Sequence, residues 1–131
     1  MKRVGLLLLL LFVATAHPGD TGQASQTIAG SGTQLVQTCR LYFEYLGRTG
    51  AGREETFARN PFGMGYCAGL VHGVVDMAQA FMPDRVCLPP RATIAQAVWV
   101  VVQYLEKNPI ALPDEDSELV LRALENTYRC P

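Results

Sequence analysis

Two cysteines frame the C-terminal part of this chain. Cys87 begins a Cys-Leu-Pro-Pro segment, Cys130 comes just before Pro131, and between them lie two runs with helical periodicity, separated by Asn108-Pro109. Proline ends a helix because it lacks an amide proton and its ring clashes with the preceding turn. If the two helices fold back as an antiparallel hairpin, the residue before the first and the residue after the second lie side by side. The sequence therefore predicts a helical hairpin that a Cys87–Cys130 disulfide closes.

The N-terminal segment predicts export. Residues 1–3 are Met-Lys-Arg, residues 4–13 are apolar and dominated by leucine, and residues 14–16 have the small-x-small pattern of a signal-peptidase site. A membrane-spanning helix needs about 20 apolar residues, and this run has about half that number. The pattern therefore favours a signal peptide over residues 1–16, cleavage before His17, and an exported protein with no membrane anchor.

The remaining chain predicts one disulfide-linked domain. Residues 17–31 are rich in Gly, Ser, Thr and Gln, so we expect a flexible leader followed by a domain over residues 32–131. All four cysteines lie in that domain, and an even number in a small exported domain is typical of disulfides rather than of metal ligands. Once Cys87–Cys130 closes the hairpin, Cys39–Cys67 remains to join the first helix to the second.

The balance of charges disfavours one class of partner. The chain has 11 Lys and Arg against 12 Asp and Glu, a formal net charge of −1. A nucleic-acid-binding protein usually carries a basic face that neutralises phosphates. The composition offers no such excess, so we expect no nucleic-acid partner.

The first helix is predicted over residues 33–46. Its apolar side chains recur at steps of three and four residues, which is typical of one helical face. They are Leu35, Val36, Cys39, Tyr42, Phe43 and Leu46. Residues 47–52 contain three glycines and predict a loop, and the charged residues 53–60 predict a short exposed turn or helix.

A second helix is predicted over residues 61–82, with Asn60 as its cap and Pro61 at its first position. Gly65, Gly69 and Gly73 repeat every four residues within it. Each interior glycine costs about 1 kcal/mol relative to alanine, so three of them need a reason. The favoured interpretation is close packing against another helix along a smooth stripe, and the alternative is a groove for a partner.

The third helix is predicted to begin after Thr93 and to end before Asn108-Pro109. Thr93 and Gln96 have the spacing of a capping box, in which each side chain accepts a hydrogen bond from the other residue's amide. The β-branched run that follows is also compatible with a buried strand. The cap and the helix-forming end of the run favour a helix, apolar nearly all round through Trp99, at the centre of a four-helix or five-helix bundle.

Acidic residues crowd the predicted start of the fourth helix. They are Asp114, Glu115, Asp116 and Glu118. Carboxylates interact favourably with the positive end of the helix dipole. We therefore interpret the cluster as helix stabilisation, with a partner contact as the alternative.

The sequence offers little catalytic chemistry. His72 and Asp76 are four residues apart, so on a helix they share a face as a base and its orienting partner, or as two metal ligands. No nucleophile or third ligand has a recognisable spacing relative to them. We favour a structural hydrogen bond, and we expect a binding protein without cofactor or metal rather than an enzyme.

Several segments resemble one known family. Residues 65–76 read Gly-Tyr-Cys-Ala-Gly-Leu-Val-His-Gly-Val-Val-Asp, which is similar to the signature of the Rap/Tai family, the resistance-associated and type VI amidase immunity proteins. The Cys-Leu-Pro start at residue 87, the helix end at residues 104–109 and the Arg-Cys-Pro segment at 129–131 resemble that family as well. The resemblance covers roughly residues 35–131.

The resemblance implies a small all-α periplasmic protein that is disulfide-linked and often a homodimer. Members of the family bind a peptidoglycan-cleaving amidase effector, delivered by the type VI secretion system of a neighbouring cell, and block its active site. Occlusion needs a rigid surface and an export signal but no catalytic group. The alternative functions are a periplasmic stress chaperone and an orphan helical binding domain without an effector.

Loops on a disulfide-linked bundle are the expected contact surface, because a preformed loop enters a cleft with little loss of conformational entropy. The candidates are Arg48, Arg53, Glu54 and Glu55 around the glycine-rich loop, and Asp114 and Asp116 before the fourth helix. Charge reversal at Glu54 and Glu55, or at Asp114 and Asp116, is expected to weaken binding and to leave the fold intact.

Overall fold

The computed structural model describes residues 30–131. They form five α-helices, α1 (Gly32–Gly47), α2 (Gly50–Arg59), α3 (Pro61–Phe81), α4 (Ile94–Lys107) and α5 (Asp116–Thr127), with a short 3-10 helix at Pro109–Ala111. Extended structure in this part of the chain is limited to an isolated bridge between Ser31 and Glu115. The prediction of a small all-α bundle with two disulfides is confirmed. The predicted signal peptide at 1–16 and nearly all of the predicted leader at 17–31 lie outside the described residues.

The glycine-rich segment after α1 is not wholly a loop. α2 begins at Gly50, so only Arg48 and Thr49 connect the first two helices. Gly50 has a φ of 56°, a left-handed conformation that glycine adopts without a Cβ clash. This conformation changes the direction of the chain, so that a new helix begins where the composition predicts a loop.

Side-chain caps fix the starts of α3 and α4. Asn60 Oδ1 accepts a hydrogen bond from the Gly63 amide at 2.8 Å, and Pro61 occupies the first turn of α3. At α4 the Thr93 amide donates to Gln96 Oε1 at 2.9 Å, and the Gln96 amide donates to Thr93 Oγ1 at 3.3 Å. Both caps confirm the predictions, and each satisfies amide protons that the first helical turn leaves unpaired.

The core is organised around α4, which packs against α1, α3 and α5. Its side chains Val98, Val101 and Leu105 are fully buried, and each contributes roughly 1.5–3 kcal/mol by leaving water. The predicted all-round burial of α4 is wrong on one side, because Trp99 is 44% exposed. The other helices add fully buried side chains to the same core, among them Leu35, Val71, Leu119, Val120 and Leu124.

Two disulfides cross-link this bundle. Cys39–Cys67 joins α1 to α3 with a Cα–Cα distance of 5.1 Å, and Cys87–Cys130 joins the α3–α4 connection to the segment after α5 with 5.0 Å. The sequence separations are 28 and 43 residues, for which the entropy lost by the unfolded chain corresponds to about 3–4 kcal/mol each. Both pairs are those that the sequence predicts. The second closes the α4–α5 hairpin, where the Cys87 amide also donates to the Tyr128 carbonyl at 2.7 Å.

The three repeated glycines of α3 face solvent. A Cβ added to Gly65, Gly69 or Gly73 would meet no atom within 4 Å. The prediction that they pack against another helix is wrong, because Cys67 and Val71, each 0% exposed, turn the opposite side of α3 into the core. The repeat therefore leaves a smooth, uncovered strip of helix on the surface.

The start of α5 is built around a buried carboxylate. Asp116 is 3% exposed, and its Oδ1 accepts a hydrogen bond from the Ser117 amide at 2.7 Å. The Asp116 amide donates to the Gly30 carbonyl at 3.2 Å, and a Cβ on Gly30 would collide with both the Asp116 carboxylate and the Tyr66 hydroxyl. The prediction of Asp116 as a surface contact is wrong, because the chain before α1 folds over it.

Gly69→Ala is expected to raise the free energy of unfolding by about 0.5–1 kcal/mol, because alanine favours the helix and its Cβ meets nothing. Gly63→Ala is the matched control on the same helix, where a Cβ would collide with the side chains of Asn60 and Thr38, so this variant is expected to destabilise. Urea denaturation followed by circular dichroism measures both. A loss of stability in Gly69→Ala would contradict the exposed position of this stripe.

Asp116→Lys is expected to lower the free energy of unfolding by at least about 3 kcal/mol, since it buries an unpaired ammonium group. Asp114→Lys breaks only a partly exposed ion pair with Arg122 and is expected to cost no more than about 1 kcal/mol. The urea midpoints of the two variants give the comparison. Equal, small losses would mean that Asp116 is accessible in solution.

Candidate functional site

Candidate sites in the described chain are clefts and exposed side chains on its surface. Within residues 30–131, no group of three or more His, Cys, Asp or Glu side chains is placed to hold a metal ion. Over the same range, no helix is both long and apolar enough to cross a bilayer.

His72 and Asp76 lie on the solvent-exposed side of α3. His72 Nδ1 is 3.4 Å from Asp76 Oδ2, and the two side chains are 65% and 64% exposed. Catalytic acid–base pairs are usually set in a desolvated cleft that tunes their protonation. This pair lies open to water, so its geometry is that of a surface contact.

The same pair borders a groove between α3 and the start of α4. The groove has a volume of about 310 Å³, and its lining includes His72, Asp76, Val75, Leu88, Ile94 and Ala97. The one hydroxyl in this lining belongs to Thr93, whose oxygen already accepts a hydrogen bond in the α4 cap. Most of the residues that line the groove are apolar.

α2 contributes less to the core than the other α-helices. Of its ten residues only Thr56 is buried. At its end, Arg59 donates a hydrogen bond to Glu44 of α1 at 3.1 Å, and Arg48 in the α1–α2 connection donates to the same carboxylate at 2.8 Å. Such exposed ion pairs add little stability, but they define where the helix lies. The outer side of α2 remains open.

Three side chains where α1 meets α2 form a cluster that we call the α2 corner: Tyr45, Arg53 and Phe57. The Arg53 guanidinium lies 4.4 Å from the centroid of the Tyr45 ring, an attractive cation–π geometry. The rings of Tyr45 and Phe57 have centroids 5.8 Å apart, and Phe57 is 49% exposed. Tyr, Phe and Arg are enriched at protein interfaces, so the composition of this corner is that of a contact site.

The structure separates the two groups of predicted contact residues. The group around α2, consisting of Arg48, Arg53, Glu54 and Glu55, is exposed and lies near the C-terminal end of α1, where Arg53 contacts Tyr45. Asp114 lies at the other end, where its carbonyl accepts a hydrogen bond from the Gly32 amide. A helix of 16 residues is about 24 Å long. The two groups therefore do not form one compact patch.

Asp114 is engaged within the bundle. Arg122 Nη1 lies 2.7 Å from Asp114 Oδ2, and Arg122 Nη2 lies 2.6 Å from Glu118 Oε1. The hydrogen bonds to Asp114 and Glu118 raise the pKa of Arg122. Together with the burial of Asp116, these contacts favour helix stabilisation as the role of the acidic cluster.

A second exposed aromatic pair lies between α1 and α4, and we call it the Trp99 patch. The rings of Phe43 and Trp99 stack with centroids 4.8 Å apart and are 38% and 44% exposed as residues. Arg40 and Glu106 form an ion pair across the same two helices at 2.6 Å. The patch is apolar with one charge of each sign beside it.

Sequence reasoning missed both aromatic surfaces. The spacing places Phe43 on the apolar face of the first helix, although Leu35 and Cys39 define the buried stripe. Phe57 is the single aromatic residue within the charged residues 53–60. An isolated aromatic side chain among charges was the available signal for a contact site.

The family-level comparison agrees with the extent of the described bundle. The model of a family described as Rap1a immunity proteins matches residues 31–130. No curated protein and no solved structure gives a significant match. Because the family match spans nearly all of the described residues, the chain belongs to the family of Rap1a immunity proteins.

Proposed function

We propose that this protein is a periplasmic immunity protein that binds a peptidoglycan amidase delivered by a type VI secretion system and blocks the active site of that amidase. Membership of an immunity family supports inhibition of a secreted effector. The two disulfides support an oxidising compartment, since cytosolic thiols are kept reduced. Inhibition by occlusion requires no catalytic group on the immunity protein.

The observation that carries the proposed contact site is the open side of α2. A ten-residue helix that buries only Thr56 adds little to the core, yet it presents Phe57 beside Tyr45 and Arg53. Interface hot spots usually combine an aromatic ring, which leaves water on binding, with a guanidinium, which can pair with a carboxylate of the partner. We assign the effector contact to the α2 corner.

The α2 corner is also preorganised. Cys39–Cys67 holds α1 against α3, and Glu44 links α1 to the end of α2 through Arg59. Ordering costs on binding fall when the contact side chains are already fixed. Glu54 and Glu55 are exposed on the same helix, where charges act on the association rate and on partner choice.

The chaperone alternative has weaker support. A chaperone surface needs a continuous apolar area, whereas the most exposed apolar side chains are scattered: Phe62 and Phe81 lie at opposite ends of α3, and Ile110 lies in the turn after α4. Isolated exposed apolar residues are normal for a monomeric protein surface. The orphan-domain alternative is decided by whether a partner is recovered.

The homodimer is a separate proposal, and its support is the Trp99 patch. In a two-fold symmetric interface the same surface meets itself, so it must be complementary to itself. Stacked apolar rings meet that condition, and Arg40 and Glu106 beside them already pair with each other and so bring no net charge to the interface. We propose that two copies associate through this patch.

The effector contact predicts a matched pair of variants. Phe57→Ala is expected to weaken binding of the amidase at least about tenfold, or about 1.4 kcal/mol, because it removes a ring that the interface would bury. Phe81→Ala removes an equally large ring that is 80% exposed at the far end of α3 and is expected to leave affinity unchanged. Calorimetric titration of the effector, together with its peptidoglycan-cleaving activity, measures both.

The effector itself is recovered by purifying the oxidised protein from its source cells and identifying copurified proteins by mass spectrometry. A stoichiometric cell-wall hydrolase that loses activity on rebinding supports the immunity role. No partner, or many unrelated partners, rejects it. Loss of affinity in Phe81→Ala alone would keep the role and reject the α2 corner.

The homodimer is tested with Trp99→Lys, which is expected to shift the protein from dimer to monomer because like charges then face each other across the two-fold axis. Trp99 is partly exposed, so the helical circular dichroism signal is expected to remain. Sedimentation velocity over a range of concentrations gives the mass of each variant. A dimer that persists in Trp99→Lys would place the interface elsewhere.

A further inference from the structure

The two disulfides differ in their access to solvent. Cys39 and Cys67 are both 0% exposed, enclosed between α1 and α3 within the core. Cys87 is exposed and Cys130 is half-buried at the surface. We infer that Cys87–Cys130 is a site of thiol–disulfide exchange with external dithiols, whereas Cys39–Cys67 is closed to them while the bundle is folded.

The outer disulfide is open to solvent at Cys87 and borders a cleft at Cys130. Cys130 lines a surface cleft of about 460 Å³ between the α3–α4 connection and α5. Cys87 lies on the neighbouring loop, and the sulfur atoms of both residues have only a weak contact with the Pro83 carbonyl, at 3.9 and 3.6 Å. An attacking thiolate approaches along the S–S axis, so the exposed side of Cys87 admits the reagent, and the cleft beside Cys130 leaves room for the departing sulfur.

The charges around the cleft favour Cys130 as the leaving sulfur. The ionic side chains of its lining are Asp84, Arg85, Arg122, Glu125 and Arg129. Arg85 pairs with Glu125, and Arg122 pairs with Asp114 and Glu118. No ion pair involves Arg129 within the described residues, and Arg129 is next to Cys130 in the chain. A nearby cation stabilises a departing thiolate.

The exchange is a balanced two-step reaction. A thiolate of the dithiol attacks Cys87 Sγ, the bond to Cys130 Sγ breaks, and Cys130 leaves as a thiolate that takes up a proton. The second thiol of the reagent then attacks the mixed disulfide and releases Cys87 as a thiol. The reagent is oxidised to its own disulfide while the protein disulfide is reduced to two thiols, so electrons and atoms balance.

The bundle has other contacts that hold the same region after reduction. Val86 is 3% exposed and anchors the α3–α4 connection in the core. The Cys87 amide keeps its hydrogen bond to the Tyr128 carbonyl, and the Arg85–Glu125 ion pair spans the same gap. Reduction therefore loosens the hairpin closure without opening the core.

The experiment exposes the oxidised full-length mature protein to dithiothreitol without denaturant, blocks free thiols with iodoacetamide at intervals and maps the labelled peptides. Labelling at Cys87 and Cys130 is expected to be at least about a hundredfold faster than at Cys39 and Cys67, because the buried bond must wait for local opening. The helical circular dichroism signal is expected to persist. Simultaneous labelling of all four cysteines, or labelling only as helicity is lost, overturns the inference.

The role of Arg129 in stabilising the Cys130 thiolate is tested with a separate variant. Arg129→Gln is expected to slow reduction of Cys87–Cys130 about threefold, since the cation beside Cys130 is removed. Arg91→Gln is the matched control, because Arg91 is exposed on the α3–α4 connection and lies outside the lining of the cleft. Equal rates in the two variants would overturn the role of Arg129, and urea midpoints show that each variant is folded.

Discussion

The apolar face of α4 packs against α1, α3 and α5 at once and keeps Val98, Val101 and Leu105 out of contact with water. Each of these side chains contributes roughly 1.5–3 kcal/mol, more than an exposed ion pair anywhere on the surface. α3 must then turn Cys67 inward, and α5 must return along α4 after the turn at Asn108. The position of α4 thereby determines which faces of the other helices remain free.

This packing leaves two different surfaces exposed to solvent, one on α2 and one on α3. α2 stands at the edge of the core and carries an aromatic ring and charges on a rigid base, which is what occlusion of another protein's cleft requires. The outer side of α3 instead presents glycines and the His72–Asp76 pair, with no side chain packed over the glycines. The exposed side of α2 is consistent with binding to another protein. Membership of a family of immunity proteins is consistent with such a partner.

Local signals in the sequence predicted the fold well. These signals depend on residues that are close in sequence or belong to one hairpin. They are the helix caps at Asn60 and Thr93, the helix end at Asn108-Pro109 and the cysteines that flank the α4–α5 hairpin. The failures concern contacts between distant segments. The burial of Asp116 depends on Gly30 folding over it, and the outward direction of Gly69 depends on which side of α3 meets the core. The spacing of apolar residues identifies one face of a helix. It does not determine whether that face packs against another helix or faces solvent.

The burial of Cys39–Cys67 sets an order of events during oxidation of the newly made chain. A bond whose sulfur atoms are enclosed in the folded bundle is closed to an external catalyst after the core has formed, except when the bundle opens locally. Oxidation of that pair is therefore fastest before α4 covers α1 and α3, whereas Cys87–Cys130 stays open to oxidation on an assembled hairpin. A chain that folded faster than it was oxidised would trap two thiols inside a closed protein.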